Sequence, residues 1–266
     1  MKRIARFAAA SILVFTTCSA GTGSAQTPPA PPPPGQLINV DGHRVHLYCT
    51  GRGRPTVVVA SGGFSVDWGL IQPQMAEQTR ICTYDPAGTA WSDPLPGQAH
   101  PTCTDRVNEL HQLLTNAHID GPYILVGFSI GGLVARLYAA RYATEIAGMV
   151  LVDHAFIDTG RDASSPAPAA FSAHGLDSPP VLISKTEIAL DLEDDQNFAK
   201  LPERDQQLHR WALSVSTRPT PEDASVCFSE VDHAERNRPF PLGNAPVAVI
   251  STLYDSPRYT ELQHKL

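Results

Sequence analysis

The chain has 266 residues, with 20 Lys and Arg against 27 Asp and Glu, a formal charge of −7. This acidic balance argues against nucleic acid or an anionic membrane surface as the partner. Without the leader expected below, three basic residues and no acidic ones are lost and the balance becomes −10 (17 − 27).

Lys2, Arg3 and Arg6 precede a mostly apolar stretch from Phe7 to Thr17. That stretch is too short for a stable membrane span, which needs about 20 apolar residues. Small residues follow, and Gly23-Ser24-Ala25 offers a cleavage site before Gln26. Residues 1–25 therefore read as a secretory signal peptide, and the expected location is secreted or periplasmic. Lipid attachment at Cys18 is the weaker alternative, because Phe15-Thr16-Thr17 fits such a signal poorly. Residues 26–35 include Pro28, Pro29 and Pro31 to Pro34. Such a run favours extended polyproline II and forms a linker. The remainder, 36–266, suits one domain with a sizeable core.

Four cysteines remain after Cys18: Cys49, Cys82, Cys103 and Cys227. None has C-x-x-C spacing, so no zinc or redox site is expected. An even number in an exported chain points to two disulfides, with buried thiols as the alternative.

"QLINVD" and "HRVHLYCT" alternate around Asp41-Gly42, a hairpin signal. "TVVVAS" (56–61) is a β-branched run ending at Gly62-Gly63, as a buried strand would be. Residues 66–78 are expected to be helical, and "RICTYD" (80–85) is the next strand. "CTDRVNELHQLLTNA" has apolar residues at 107, 110, 113 and 114, the period of a helix. "YILVG" is a strand, 129–142 a helix, and "GMVLVD" (148–153) a strand. Alternation of this kind predicts a mostly parallel sheet covered on both faces. The pattern breaks over 154–245, where a Pro/Ala/Ser-rich loop and helical stretches such as "RDQQLHRWALSV" stand, and strand character returns at "APVAVIST". A cap insertion over about 155–244 is expected there.

Gly127-Phe128-Ser129-Ile130-Gly131 lies between a predicted strand and a predicted helix. In that context the G-x-S-x-G pattern marks a nucleophile elbow, with Ser129 as nucleophile. Gly127, Gly131 and Gly132 allow a strained turn and a close helix. The Ile130 N–H, at a helix N-terminus, suits a developing oxyanion. A second donor is expected from the loop after "TVVVAS", at Gly63 or Phe64.

"PTVVVASGG…W", "TRICTYDPAGTAWSDP", "ELHQLL", "GPYILVGFSIGGLVARLYAARY" and "IAGMVLVD" occur in an order that resembles the serine hydrolases of the α/β-hydrolase fold, in a secreted branch, over residues 40–153. The resemblance implies that fold, a mostly parallel sheet with helices on both faces and a helical cap. It also implies ester or related acyl hydrolysis through an acyl-enzyme, with a small-molecule acyl or ester substrate, no cofactor and no metal. Phe128 and Ser61 stand where such proteins often have His. Pro86 and Ala90 replace the Arg and the last Gly of the usual Asp-Arg-x-Gly-x-Gly turn. Strands two and four are sheet neighbours in that family, which implies a Cys49–Cys82 disulfide and leaves Cys103 with Cys227.

A serine nucleophile needs a base and an orienting acid. The expected chain order gives two acids, Asp153 after strand six or Asp255 after strand seven. The triad His is expected on a loop after an eighth strand, and no such loop is present in the chain. His264, the one histidine after Asp255, lies in a helix-like "RYTELQHKL". His154 follows Asp153 directly, and His43 and His46 lie on the hairpin. His100, His111, His118, His174 and His209 are expected to be solvated. His233 is the least implausible stand-in. The expectation is thus a chain stopping short of its last strand, His loop and closing helix. The alternative is an inactive or binding-only version of the same fold.

Overall fold

The computed structural model describes residues 30–97, 100–153, 198–217, 221–237 and 242–251. The expected signal peptide, His154, His174, Asp255 and His264 lie outside the described residues. The chain divides into two units, Met1–Ala30 and Pro31–Leu266, and the fold is that of the second.

Among the described residues one sheet holds seven strands in the order β1-β2-β4-β3-β5-β6-β7. The strands are β1 (Gln36–Val40), β2 (His43–Thr50), β3 (Thr56–Ser61), β4 (Ile81–Asp85), β5 (Tyr123–Phe128), β6 (Ile146–Val152) and β7 (Val247–Ile250). β1 and β2 form the antiparallel hairpin, turning through Asp41 and Gly42 with φ of 45° and 89°. β2 runs antiparallel to β4, and all pairs from β4 to β7 are parallel. Parallel neighbours need crossovers, and helices supply them.

Those helices are α1 (Gln72–Ala76), α2 (Cys103–Asn116), α3 (Gly131–Arg141), α4 (Glu203–Val215) and α5 (Pro221–Asn237). The helix expected over 66–78 is broken in two. A 3-10 turn covers Ser65–Trp68, and α1 starts only at Gln72, with Pro73 in its first turn. The start of α2 follows the residues directly: Thr102 accepts from the Asp105 N–H at 3.1 Å, and the Asp105 carboxylate accepts from Thr102 N–H at 2.9 Å. That reciprocal pair satisfies donors that a bare helix end would leave unmade.

β3 shows why its run is apolar throughout. Val57 and Val59 face Trp68, Met75, Ile124 and Val126 on one side of the sheet. Val58 and Ala60 face the larger cluster on the other, with Val107, Leu110, Leu133 and Leu137 of α2 and α3. Alternate side chains point to opposite faces, so a strand covered on both must be apolar at every position.

α5 lies within the range expected as a cap, yet it joins the helical layer of the body. Cys227 and Val231 are 2% exposed and belong to the main core. Glu235 takes a two-pronged contact from Arg136 of α3, at 2.8 and 2.6 Å. Glu230 accepts from the Thr104 N–H at 3.0 Å. The Cys103–Cys227 disulfide joins α5 to the start of α2. A second disulfide joins Cys49 and Cys82, which face each other across the β2–β4 ladder with Cα atoms 4.0 Å apart.

Three tyrosines are held un-ionised by the fold. Burial pushes Tyr123 up to about 12, and pushes Tyr84 and Tyr138 higher still. Tyr138 also donates to Glu145 Oε2 at 2.6 Å, a contact that a phenolate would turn repulsive. In the unfolded chain these phenols lose protons near 10. Above that pH the unfolded state therefore sheds protons that the folded state keeps, and stability falls as pH rises. Absorbance titration at 295 nm is expected to show Tyr84, Tyr123 and Tyr138 ionising well above the ordinary phenol range or only as the protein unfolds. Normal titration of all seven tyrosines in folded protein would contradict this.

Candidate active site

The C-terminal ends of β3, β5 and β6 meet at one edge of the sheet, where Ser61, Phe128 and Val152 lie in adjacent register. Ser129 follows Phe128 with φ of 54°, a left-handed conformation that a non-glycine residue enters only when its surroundings impose it. The surroundings are backbone. A Cβ on Gly131 would fall on the carbonyl oxygen of Ala60 in β3, and one on Gly127 would lie 2.6 Å from the Gly132 Cα. Only glycine lets α3 leave β5 this sharply and run back so close to the sheet. The Ser129 N–H donates to the Val152 carbonyl at 3.2 Å, which fixes the turn to β6.

Ser129 is partly exposed at the head of α3. Among the described residues the Ile130 N–H has no hydrogen-bond partner. The loop after β3 lies over both groups: a Cβ on Gly62 would be 3.4 Å from the Ser129 Cβ and 3.5 Å from the Ile130 nitrogen. Its own donors are engaged. Gly62 N–H donates to the Phe128 carbonyl at 3.1 Å. Gly63 N–H, expected as an oxyanion donor, donates to Ser61 Oγ at 3.0 Å. Phe64 N–H donates to Asp67 Oδ2 at 2.7 Å. Ser61 is thus a local clamp on this loop.

Asp153 sits one residue beyond the carbonyl that holds Ser129, with φ of 41°, and its N–H donates to Ile250 of β7 at 2.8 Å. The structure therefore brings Asp153 to the same edge as Ser129. The other expected acid, Asp255, is outside the described residues. His233 is exposed on α5, in contact with Asn237 of its own helix at 3.0 Å.

Four other histidines pair with carboxylates. His46 meets Asp85 at 2.7 Å, both wholly buried, and Ser65 Oγ donates to the same carboxylate at 3.1 Å. His43 meets Glu109 at 3.0 Å, and Glu109 also accepts from the Ala87 N–H at 3.1 Å. Burial pushes the Glu109 carboxyl up, against the lowering effect of those hydrogen bonds. His111 meets Glu145 at 3.1 Å, at the opposite end of the sheet from Ser129. His209 of α4 meets Asp67 at 2.5 Å, and its ring lies 5.4 Å from that of Phe64. Sequence reasoning missed this last pair, because its members are 142 residues apart and each looks like a solvated surface residue.

The loop after β4 also borders this edge. Ala90, which replaces the usual glycine there, has φ of 43°, and its N–H donates to Ser216 Oγ just past α4 at 2.8 Å. An alanine in that region costs roughly 1–2 kcal/mol. Ala90→Gly is therefore expected to stabilise the protein by about 1 kcal/mol, with glycine's greater unfolded entropy opposing part of the gain. A melting temperature about 2–4 °C higher by circular dichroism would agree; a fall would not.

Among the described residues there is no cluster of His, Cys, Asp or Glu that could hold a metal, and no helix long and apolar enough to cross a membrane. A mostly parallel sheet of this order, with a strained serine between β5 and α3, is the architecture of the α/β-hydrolase fold. The chain has the α/β-hydrolase fold, and residues 54–175, just under half of it, match the alpha/beta hydrolase fold family.

Among its relatives is an uncharacterized protein of Schizosaccharomyces pombe, 32% identical over an alignment of 162 positions, gaps included, that covers 48% of this chain and 30% of that protein. Another is the uncharacterized protein YqjL of Bacillus subtilis, 30% identical over 126 residues, 46% of this chain and 49% of that one. The chain thus spans half or less of the length of these two curated relatives. Solved structures share the fold at lower identity. The thioesterase domain from the curacin biosynthetic pathway has a TM-score of 0.60 at 16% identity, covering 86% of this chain and 88% of that one. A bacterial membrane phospholipase A has a TM-score of 0.53 at 16% identity, covering 86% and 84%. The enol-lactonase from Burkholderia xenovorans has a TM-score of 0.52 at 14% identity, covering 86% and 97%.

Proposed function

We propose that this protein is an exported serine hydrolase that cleaves ester or related acyl bonds through an acyl-enzyme on Ser129. The observation that carries the reading is the strained backbone of Ser129, φ 54°, held by glycine contacts between β5 and α3. Strain of this kind costs of order 1–3 kcal/mol and persists where the surrounding structure imposes it, often at reacting groups.

In the proposed reaction Ser129 Oγ attacks the carbonyl carbon as its proton passes to a base. The carbonyl electrons move onto oxygen, which accepts from the Ile130 N–H and from a donor of the 62–64 loop. Collapse expels the leaving oxygen as an alcohol, which takes that proton back from the base; water, giving a proton to the same base, then attacks the acyl carbon, and the acid leaves as the serine oxygen is reprotonated. Gly63 fills the second donor role once its N–H turns from Ser61 to the substrate. Asp153 or Asp255 is the carboxylate that orients the base; the position of Asp153 beside the Val152–Ser129 hydrogen bond favours Asp153. The solved relatives are named as a thioesterase, a phospholipase and a lactonase. Their common thread is hydrolysis of an acyl bond to oxygen or sulfur, and the proposal takes that class for this chain. Export is supported by the basic, apolar and small-residue succession at the N-terminus and by the two disulfides, which persist in oxidising compartments.

A fluorophosphonate probe tests the reading. Incubation of the folded protein should give a single adduct, located by mass spectrometry on the peptide containing Ser129. Absence of an adduct on folded protein would replace the enzyme with a binding-only protein of the same fold.

A further inference from the structure

Asp67 has an unusual place. It is an acid in the 3-10 turn directly after the loop that covers Ser129, and a Cβ on Gly63 would meet its Oδ2. Its two oxygens serve different masters. Oδ2 accepts from the Phe64 N–H at 2.7 Å, and Oδ1 meets His209 Nδ1 of α4 at 2.5 Å. The two side chains are only 26% and 20% exposed. The His209 ring is further held between Phe64 and Phe198, with ring centres 5.4 and 5.3 Å away.

A carboxylate next to an oxyanion site poses an electrostatic problem. It shapes the loop, but its negative charge opposes the negative charge that develops on the substrate oxygen. A donor on its far oxygen draws that charge away. On the proposed function above, this gives His209 a purpose that packing alone does not.

We propose that Asp67 and His209 are paired positioning residues of the oxyanion loop. Asp67 sets the loop through the Phe64 N–H, and His209 offsets the charge that Asp67 brings beside the reacting carbonyl. The helix α4 thereby tunes reactivity at Ser129 from a distance, without touching the serine.

The test is the second-order rate of Ser129 labelling by a neutral fluorophosphonate, with thermal unfolding recorded for every variant. His209→Ala leaves Asp67 charged and unpaired, and labelling is expected to slow about tenfold. His209→Asn, whose amide stands near the lost Nδ1, should recover part of that loss. Asp67→Asn keeps an acceptor for Phe64 but carries no charge to oppose the oxyanion, so it should label several-fold faster than His209→Ala. The decisive protein is Asp67→Asn/His209→Ala, expected to match Asp67→Asn rather than His209→Ala. A double variant as slow as His209→Ala, or a His209→Ala variant as fast as the parent, would overturn the pairing. Amide exchange at Phe64 reports on the loop without any reaction. It should quicken in Asp67→Ala, and unchanged exchange would remove Asp67 from the loop's support. Failure of the parent protein itself to label is a different result and strikes the proposed function.

Discussion

On the proposed function, Ser129→Ala is expected to abolish fluorophosphonate labelling and to lower whatever ester turnover the parent shows by about 10⁴- to 10⁶-fold. The fold should survive. Alanine lacks only the hydroxyl, and the strain at φ 54° belongs to the backbone. Any stability change should be under about 1 kcal/mol, in either direction. Residual turnover on activated esters would report what the Ile130 N–H and the loop contribute without a nucleophile. Retention of full labelling in Ser129→Ala would move the reactive group elsewhere. The chain holds other hydroxyls close by, Ser61 and Ser65 among them, so mass-spectrometric location of the adduct is part of the measurement. Ser65 is the least suited to take over, since it is 2% exposed and bonded to Asp85.

Gly131→Ala is expected to be a severely damaging single methyl at the head of α3. The new carbon would collide with the Ala60 carbonyl oxygen and lie 2.9 Å from the Ser61 nitrogen. Both are backbone atoms of a strand paired on each side, to β4 and β5, so neither can give way alone. The remaining relief is for α3 to lift off the sheet, which opens the core around Leu133 and Leu137, now 0% and 1% exposed. Overpacking of this kind costs typically 1–3 kcal/mol and occasionally more; about 3 kcal/mol is expected here because no side chain can absorb it. For a chain of this size that is a melting temperature lower by roughly 6–12 °C. Labelling of Ser129 should fall with it, because the same shift displaces the Ile130 N–H. A variant that melts like the parent would show that α3 sits farther from β3 than the contact implies.

Much of this site is legible in the residues alone. The apolar run Tyr123–Phe128, the small residues around Ser129 and the apolar helix behind them are local signals, and the elbow is built from them. The Cys49–Cys82 pairing came from resemblance to a fold in which two strands are neighbours, and the β2–β4 register puts the two residues opposite each other. Other features are not local. The break between Trp68 and Gln72 depends on Asp67 turning back to Phe64 and on α4 packing over the turn, neither visible in a run that looks helical. α5 reads as one more amphipathic stretch of a cap. Its place in the body is set by partners, Thr104 and Arg136, that lie 126 and 99 residues away. His209 and Asp67 are silent in the sequence for the same reason. The engagement of Gly63 by Ser61 is legible only after the fact: the pattern shows where the loop is, not which way its N–H groups turn.

The attachment of α5 has a consequence for how such a protein can change over time. After Val152 the chain is fixed to the body again by α4, through His209 to Asp67 and Ser216 to Ala90, and then at Cys227, Glu230 and Glu235 by a covalent link and two polar contacts. The residues between Val152 and α4 therefore join two fixed posts. Doubling the length of such a span adds only about 0.6 kcal/mol of closure entropy. Insertions, deletions and wholesale replacement between the posts are therefore cheap, while the elbow and the layer behind it remain undisturbed. A lineage can thus rewrite the residues between the posts and inherit the elbow unchanged.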